Sequence, residues 1–195
     1  GAVAIDCEID MSASGHASPF CVELINGAVH GCRVILASSG ASSGIYGPGA
    51  NFVSVTGNSV IGYNNWGAGI YLAGNAGFIC DGNSVYNVSR GILVSLVGAT
   101  TAATQQIIGN TLYTGASGVE INGLVTAGCA IAYNAIGGMT TARYTNIGDT
   151  PTFYDTILTA DPFIDAANGD LRLNTAAGGG ALARRAGVRV PALLT

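Results

Sequence analysis

Lysine is missing from this sequence, and charge of either sign is scarce. Seven Arg and eleven Asp or Glu in 195 residues make 9 % of the chain, with a net charge of -4; an average globular domain carries ~25 %. Seven scattered Arg on an acidic chain form no basic face, which excludes a nucleic-acid binder. Long apolar runs are missing too: the longest, such as 34–37 and 91–97, fall far below the ~18–20 residues that a membrane-crossing helix needs. No charged start leads into an apolar stretch, so no signal peptide is expected. The chain begins at Gly1, which reads as a fragment or a processed product. With 49 % apolar residues it is not a disordered chain, and its 30 Gly lack the every-third spacing of collagen. The length suits one domain that buries roughly 70 % of its unfolded surface.

The five cysteines, Cys7, Cys21, Cys32, Cys80 and Cys129, have spacings that match no zinc pattern. An odd count argues against a fully paired disulfide framework. Lying among apolar neighbours, they are expected as buried thiols acting as small hydrophobes, with room for one disulfide. His16 and His30 are far apart in sequence and are expected in loops or turns.

What is present is a repeat. Four segments, VSVTGNSVIG (53–62), FICDGNSVYN (78–87), QIIGNTLYT (106–114) and CAIAYNAIGG (129–138), align on Asn58, Asn83, Asn110 and Asn134, at spacings of 25, 27 and 24. An apolar residue or Cys stands three before each Asn and an apolar residue two after. Between them run SGIYG (43–47), AGIYLAG (68–74), RGILVSL (90–96) and SGVEING (117–123), anchored on Gly44, Gly69, Gly91 and Gly118. Two independent anchors thus share a period of about 25 residues. Around each anchor apolar residues alternate, as Ile70 and Leu72 do about Tyr71, which predicts strands with one buried face. Gly, Asn and Ser between them supply turns. Short strands at this period, without helices, predict an all-β fold: a parallel β-helix, or solenoid, of about five to six coils, stacked ~4.8 Å apart. An Asn ladder at an inner turn would satisfy side-chain amides against neighbouring backbone. In the N-terminal third, 2–10, 20–25 and 31–37 read as strands without the Asn anchor. From Thr140 the repeat stops, so 1–139 is expected to be the β-helix and 140–195 an irregular C-terminal cap and tail.

The closing ADPFIDAANGDLRLN (160–174) and GGGALARRAG (178–187) complete a resemblance. The chain resembles right-handed parallel β-helix repeat proteins of the pectin-lyase-like type. Asp161, Pro162, Phe163, Asp165, Asn168, Gly169, Asp170, Arg172 and Leu173 match that family's closing segment. The ending looks like those of β-helical proteins from tailed bacteriophages and environmental bacteria. The resemblance implies a right-handed column and, for phage members, a tail spike, tail fibre or capsid-surface protein, often trimeric. The fold also hosts lyases, hydrolases and epimerases, so function must come from the site.

A β-helical hydrolase needs carboxylates converging across a groove, ~5–9.5 Å apart. Asp81 and Glu120 occupy different positions within their coils and are expected not to share a ladder. Asp6, Glu8 and Asp10 alternate with Ile5, Cys7 and Ile9, which predicts an acidic face on one strand. One residue past the first inward position of the Gly register lie Tyr46, Tyr71, Leu93 and Glu120, with Trp66 and Arg90 just before two of those strands. They are expected to form an aromatic, weakly charged lateral face that contacts a sister subunit or a glycan. Arg184, Arg185 and Arg189 suggest a docking tail for an acidic partner. No catalytic residue, metal or cofactor is assigned. The expectation is a non-enzymatic virion protein: a β-helical tail fibre, spike or capsid decoration, acting as a homotrimer among other virion proteins and facing a host-surface polysaccharide. The alternative is a polysaccharide lyase or glycoside hydrolase.

Overall fold

The computed structural model describes residues 2–12, 20–36, 43–49, 52–63, 67–74, 77–95, 105–123, 129–145 and 152–186. They form a parallel β-solenoid of about five turns. One wall is a seven-stranded sheet: Ala2–Ile5, Gly27–His30, Val53–Thr56, Phe78–Asp81, Gln105–Ile108, Cys129–Ala132 and Thr152–Phe153, each parallel to the next. The rest of each coil belongs to an eleven-stranded sheet. Its first limb runs through Glu8–Asp10, Arg33–Ile35, Ser59–Ile61 and Ser84–Tyr86; its second runs through Phe20–Glu23, Ser43–Gly47, Ala68–Ala73 and Arg90–Ser95. The long strand Thr111–Asn122 joins both limbs.

Two sequence registers make the two corners. At the first, the chain turns through one left-handed residue and then the ladder residue. Asp6, Gly31, Gly57, Gly82, Gly109, Tyr133 and Tyr154 all have φ between 49° and 67°. Gly adopts this conformation without penalty, which is why it precedes three of the four Asn. At the second corner Gly is needed for close approach, not for φ. A Cβ on Gly91 would lie 2.6 Å from Gly118 O and 3.1 Å from Leu112 Cδ1. Gly44, Gly69 and Gly118 are crowded in the same way by the following coil's carbonyl and a Val or Ile.

The core is built of aliphatic rows along the column. Val29, Val55, Cys80, Ile107 and Ile131 line the seven-stranded wall; Val34, Val60, Val85, Leu112 and Ile136 line the first limb; Ile45, Ile70, Ile92 and Val119 line the second. Each side chain contributes about 1.5–3 kcal/mol by leaving water.

Parallel pairing continues past the expected boundary at residue 139/140, which falls inside the strand Ala135–Thr145. That strand pairs with Thr111–Asn122 and then with Thr156–Leu158. The Asn signal ends earlier than the coils because the last ladder position holds Asp155. The segment beyond leaves the parallel stack. Phe163–Asp165 and Asp170–Leu173 form an antiparallel hairpin around a 3-10 turn, Ala166–Asn168, and a helix spans Gly180–Ala186. The hairpin lies along the side of the column. Phe163, Ala166 and Leu171 cover Ile35 and Ile61, with Tyr86 and Tyr113 beside them. Ile35, Ile61, Tyr86 and Tyr113 are one outward row in register, so an apolar stripe is taken out of water. The helix packs Ala183 against Ala135 and Leu158.

Candidate functional site

The inner corner carries the densest chemistry. Each ladder Asn binds two coils. The Nδ2 of Asn83 donates to Asn110 Oδ1 and to Val55 O, both at 2.9 Å; its Oδ1 accepts from Asn58 Nδ2 at 2.9 Å and from Asn58 N–H at 3.0 Å. Asn58, Asn110 and Asn134 repeat the pattern. All four are at most 1 % exposed. Both donors and both lone pairs of Asn83 are used, so its burial leaves no amide unpaired. The ladder extends further than the Asn residues do. At its start Asn58 Oδ1 accepts the N–H of Cys32, and Cys32 Sγ accepts the N–H of Cys7 at 3.4 Å. At its end Asp155 Oδ1 accepts the N–H of Asn134 at 2.7 Å, and Asp155 Oδ2 accepts the hydroxyl of Tyr144. Burial holds the Asp155 carboxyl above the usual carboxylate range, although its hydrogen bonds from Tyr144 and Asn134 oppose the shift. Burial, then the Asp155 carboxylate, pushes the Tyr144 hydroxyl well up.

The lateral face expected from the Gly register is brought together in register. Tyr46 pairs with Tyr71, Tyr71 with Leu93, and Leu93 with Glu120; Glu23 precedes the row and Thr145 follows it. The Tyr46 and Tyr71 rings lie 5.0 Å apart and 33° from parallel. Phe20 extends the stack, its ring 3.8 Å from Tyr46 at 17°. Sequence reasoning missed Phe20 because the Asn and Gly anchors that define the register do not reach the first coil. Burial, then neighbouring Tyr71 and Glu23, raises the Tyr46 hydroxyl. At the far end Arg90 Nε meets Glu120 Oε2 at 2.9 Å, and Ser117 and Asn122 also donate to that carboxylate. Trp66 lies outside the described residues.

The acidic triplet does not share one strand. The chain turns at Asp6, whose φ is 49°, so Asp6 sits at the corner and only Glu8 and Asp10 follow on one strand. Glu8 Oε1 takes Arg33 at 2.6 Å, and Asp10 Oδ1 accepts the N–H of Ser12 at 2.8 Å. The hydrogen bonds from Ser12 hold the Asp10 carboxyl below its usual value. Among the described residues, no group of three or more His, Cys, Asp or Glu is placed to hold a metal ion. Asp81 lies on the seven-stranded wall and Glu120 on the other sheet, so the two share no ladder.

Arg184 and Arg185 sit on the C-terminal helix. The Arg184 guanidinium donates to Leu173 O at 2.9 Å and Asn174 O at 2.6 Å, binding the helix to the hairpin, while Arg185 is exposed. Arg189 lies outside the described residues. Cys7 is exposed, against the expectation of burial; Cys21 is half-buried, and Cys32 and Cys80 are buried. His30 lies on the outer wall, hydrogen-bonded to Thr56; His16 lies outside the described residues.

By its geometry the chain is a parallel β-solenoid protein with an amide-laddered corner and an aromatic lateral strip. Comparison with protein-family models, curated proteins and solved structures finds no match to it.

Proposed function

We propose that this chain is a non-enzymatic structural protein of a bacteriophage virion, a β-helical segment of a tail fibre, spike or capsid decoration. In this reading it packs side by side with two sister copies, assembles with other virion proteins and presents its column to a host-surface polysaccharide. The observation that carries the reading is the lateral strip. Two half-buried tyrosines, Tyr46 and Tyr71, run in register along the column with the buried Leu93 beyond them, and the charges nearest its far end, Arg90 and Glu120, neutralise each other. A face of this kind gains by being covered. The pectin-lyase-like resemblance of the closing segment and its phage-like ending support the virion setting; the ladder, which ties each coil to the next, suits a load-bearing part.

The test is the native mass of the purified chain by light scattering, with Tyr71→Asp beside it. The reading predicts a trimer for the parent chain, and a monomer with an unchanged circular dichroism spectrum for Tyr71→Asp. A clean monomer at high concentration contradicts the packing. Robust chain cleavage of a host polysaccharide would replace this reading with the lyase or hydrolase alternative.

A further inference from the structure

Cys7 and Cys32 stand where the later coils have Asn. Their register is continuous with the strands on either side: Ile5 pairs with His30, Glu8 pairs with Arg33, and Arg33 N–H donates to Cys7 O at 2.8 Å. Cys7 N–H donates to Cys32 Sγ, the role that Asn58 N–H plays toward Asn83 Oδ1, so the Cys32 sulfur leans toward the first coil. Both thiols take the same orientation, each donating to the carbonyl two residues before it: Cys7 to Ile5 O at 3.2 Å and Cys32 to His30 O at 3.4 Å. Stacked coils lie ~4.8 Å apart, inside the ~4.4–6.8 Å Cα separation that a disulfide spans. Cys7 is exposed and Cys32 is buried, so a reagent in solution meets Cys7 first.

This joint is also less firmly tied by its ladder side chains than the later ones. An Asn side chain links two coils with two amide donors, whereas a thiol supplies one weak donor.

We propose that Cys7 and Cys32 are a redox-responsive pair that closes to a disulfide on meeting a small organic disulfide, stapling the first coil to the second. The Cys7 thiolate attacks one sulfur of the reagent, forming a mixed disulfide and expelling one thiolate. The Cys32 thiolate then attacks Cys7 Sγ, forming the Cys7–Cys32 bond and expelling the second thiolate. The protein loses two electrons and two protons; the reagent is reduced to two thiols. Burial raises the Cys32 thiol, although the N–H of Cys7 opposes the shift, so the second step is the slower one.

The test uses the full chain incubated with oxidised glutathione, alkylated, and cut with Glu-C and trypsin without reduction. Cleavage at Glu8, Glu23 and Arg33 puts Cys7, Cys21 and Cys32 on three separate peptides. The expected product is the Cys7 peptide joined to the 24–33 peptide, absent from Cys7→Ser. Amide exchange across residues 2–10 should slow by about tenfold or more on closure. Cys7→Ser changes an exposed side chain and is expected to keep the parent circular dichroism, so loss of the link reports the pair and not misfolding. Cys7 left as a stable glutathione adduct, or joined to Cys21 or to another chain, overturns the proposal.

Discussion

Asn134 hands the amide ladder to Asp155, which accepts both the N–H of Asn134 at 2.7 Å and the Nδ2 of Asn134 at 3.4 Å on a single oxygen. An Asp can end the ladder because the last rung only has to accept. Its second oxygen, which would be an Nδ2 in Asn, takes the hydroxyl of Tyr144 instead.

That exchange sets a pH dependence. The Asp155 carboxyl is raised in the folded state, chiefly by burial, so its contribution to stability is fully present below the ordinary Asp range near pH 4 and is lost as pH rises through the folded value. Asp155→Asn keeps the acceptor for Asn134 and removes the charge. Melting curves should show it more stable than the parent at pH 7 and matched to it at pH 3. A parent chain that gains on Asp155→Asn as pH rises would reverse the sign. Asp155→Ala strands the Asn134 N–H and should cost about 1–3 kcal/mol at pH 7 in urea unfolding.

Removing an interior rung is expected to cost more. Asn83→Ala takes the side-chain partner from Asn58 N–H and from Val55 O, and leaves Asn58 Nδ2 only Val29 O and Asn110 Oδ1 only the backbone N–H of residue 83. Chemical denaturation should show a loss of about 3–5 kcal/mol, while exposed Asn26→Ala stays within about 0.5 kcal/mol. Equal small effects for both would contradict the ladder's role.

The Gly corner predicts a steric penalty at a position with ordinary φ. Gly91→Ala puts a Cβ 2.6 Å from Gly118 O, a backbone atom held in the stack. The expected cost is about 3 kcal/mol by urea titration; a cost under about 0.5 kcal/mol would show that the coils can separate.

The lateral hairpin is expected to open without the column. Phe163 is buried and meets the Tyr86 ring edge-on at 6.1 Å. Phe163→Ala should raise dye binding to the bared Ile35 and Ile61 stripe and speed amide exchange in 163–173, while exchange at Val60, Val85 and Leu112 stays slow. Collapse of protection throughout would mean that the hairpin is part of one cooperative unit.

Much of this was legible in the sequence, because a solenoid writes its corners as local repeats. Asn58, Asn83, Asn110 and Asn134 and the four corner Gly residues predict the stacking that the structure has, and the register Tyr46–Tyr71–Leu93–Glu120 follows from them. The ends were less legible for a chemical reason. Cys32 and Asp155 replace Asn where only one direction of hydrogen bonding is needed, so a search for Asn stops short at both. The signal available was the turn: Gly31–Cys32 repeats Gly57–Asn58, and Tyr154–Asp155 repeats Tyr133–Asn134. The placement of the hairpin was not readable. It depends on which outward row is apolar enough to need cover, and Ile35, Ile61, Tyr86 and Tyr113 become a row only once the coils are stacked.

Side-chain amide exchange by NMR reaches the central claim most directly. If four Asn amides are shared between stacked coils, the Nδ2 protons of Asn58, Asn83, Asn110 and Asn134 will exchange orders of magnitude more slowly than those of exposed Asn26. Exchange of the four at the rate of Asn26 would contradict the ladder, and with it the column that the lateral strip and the proposed assembly depend on.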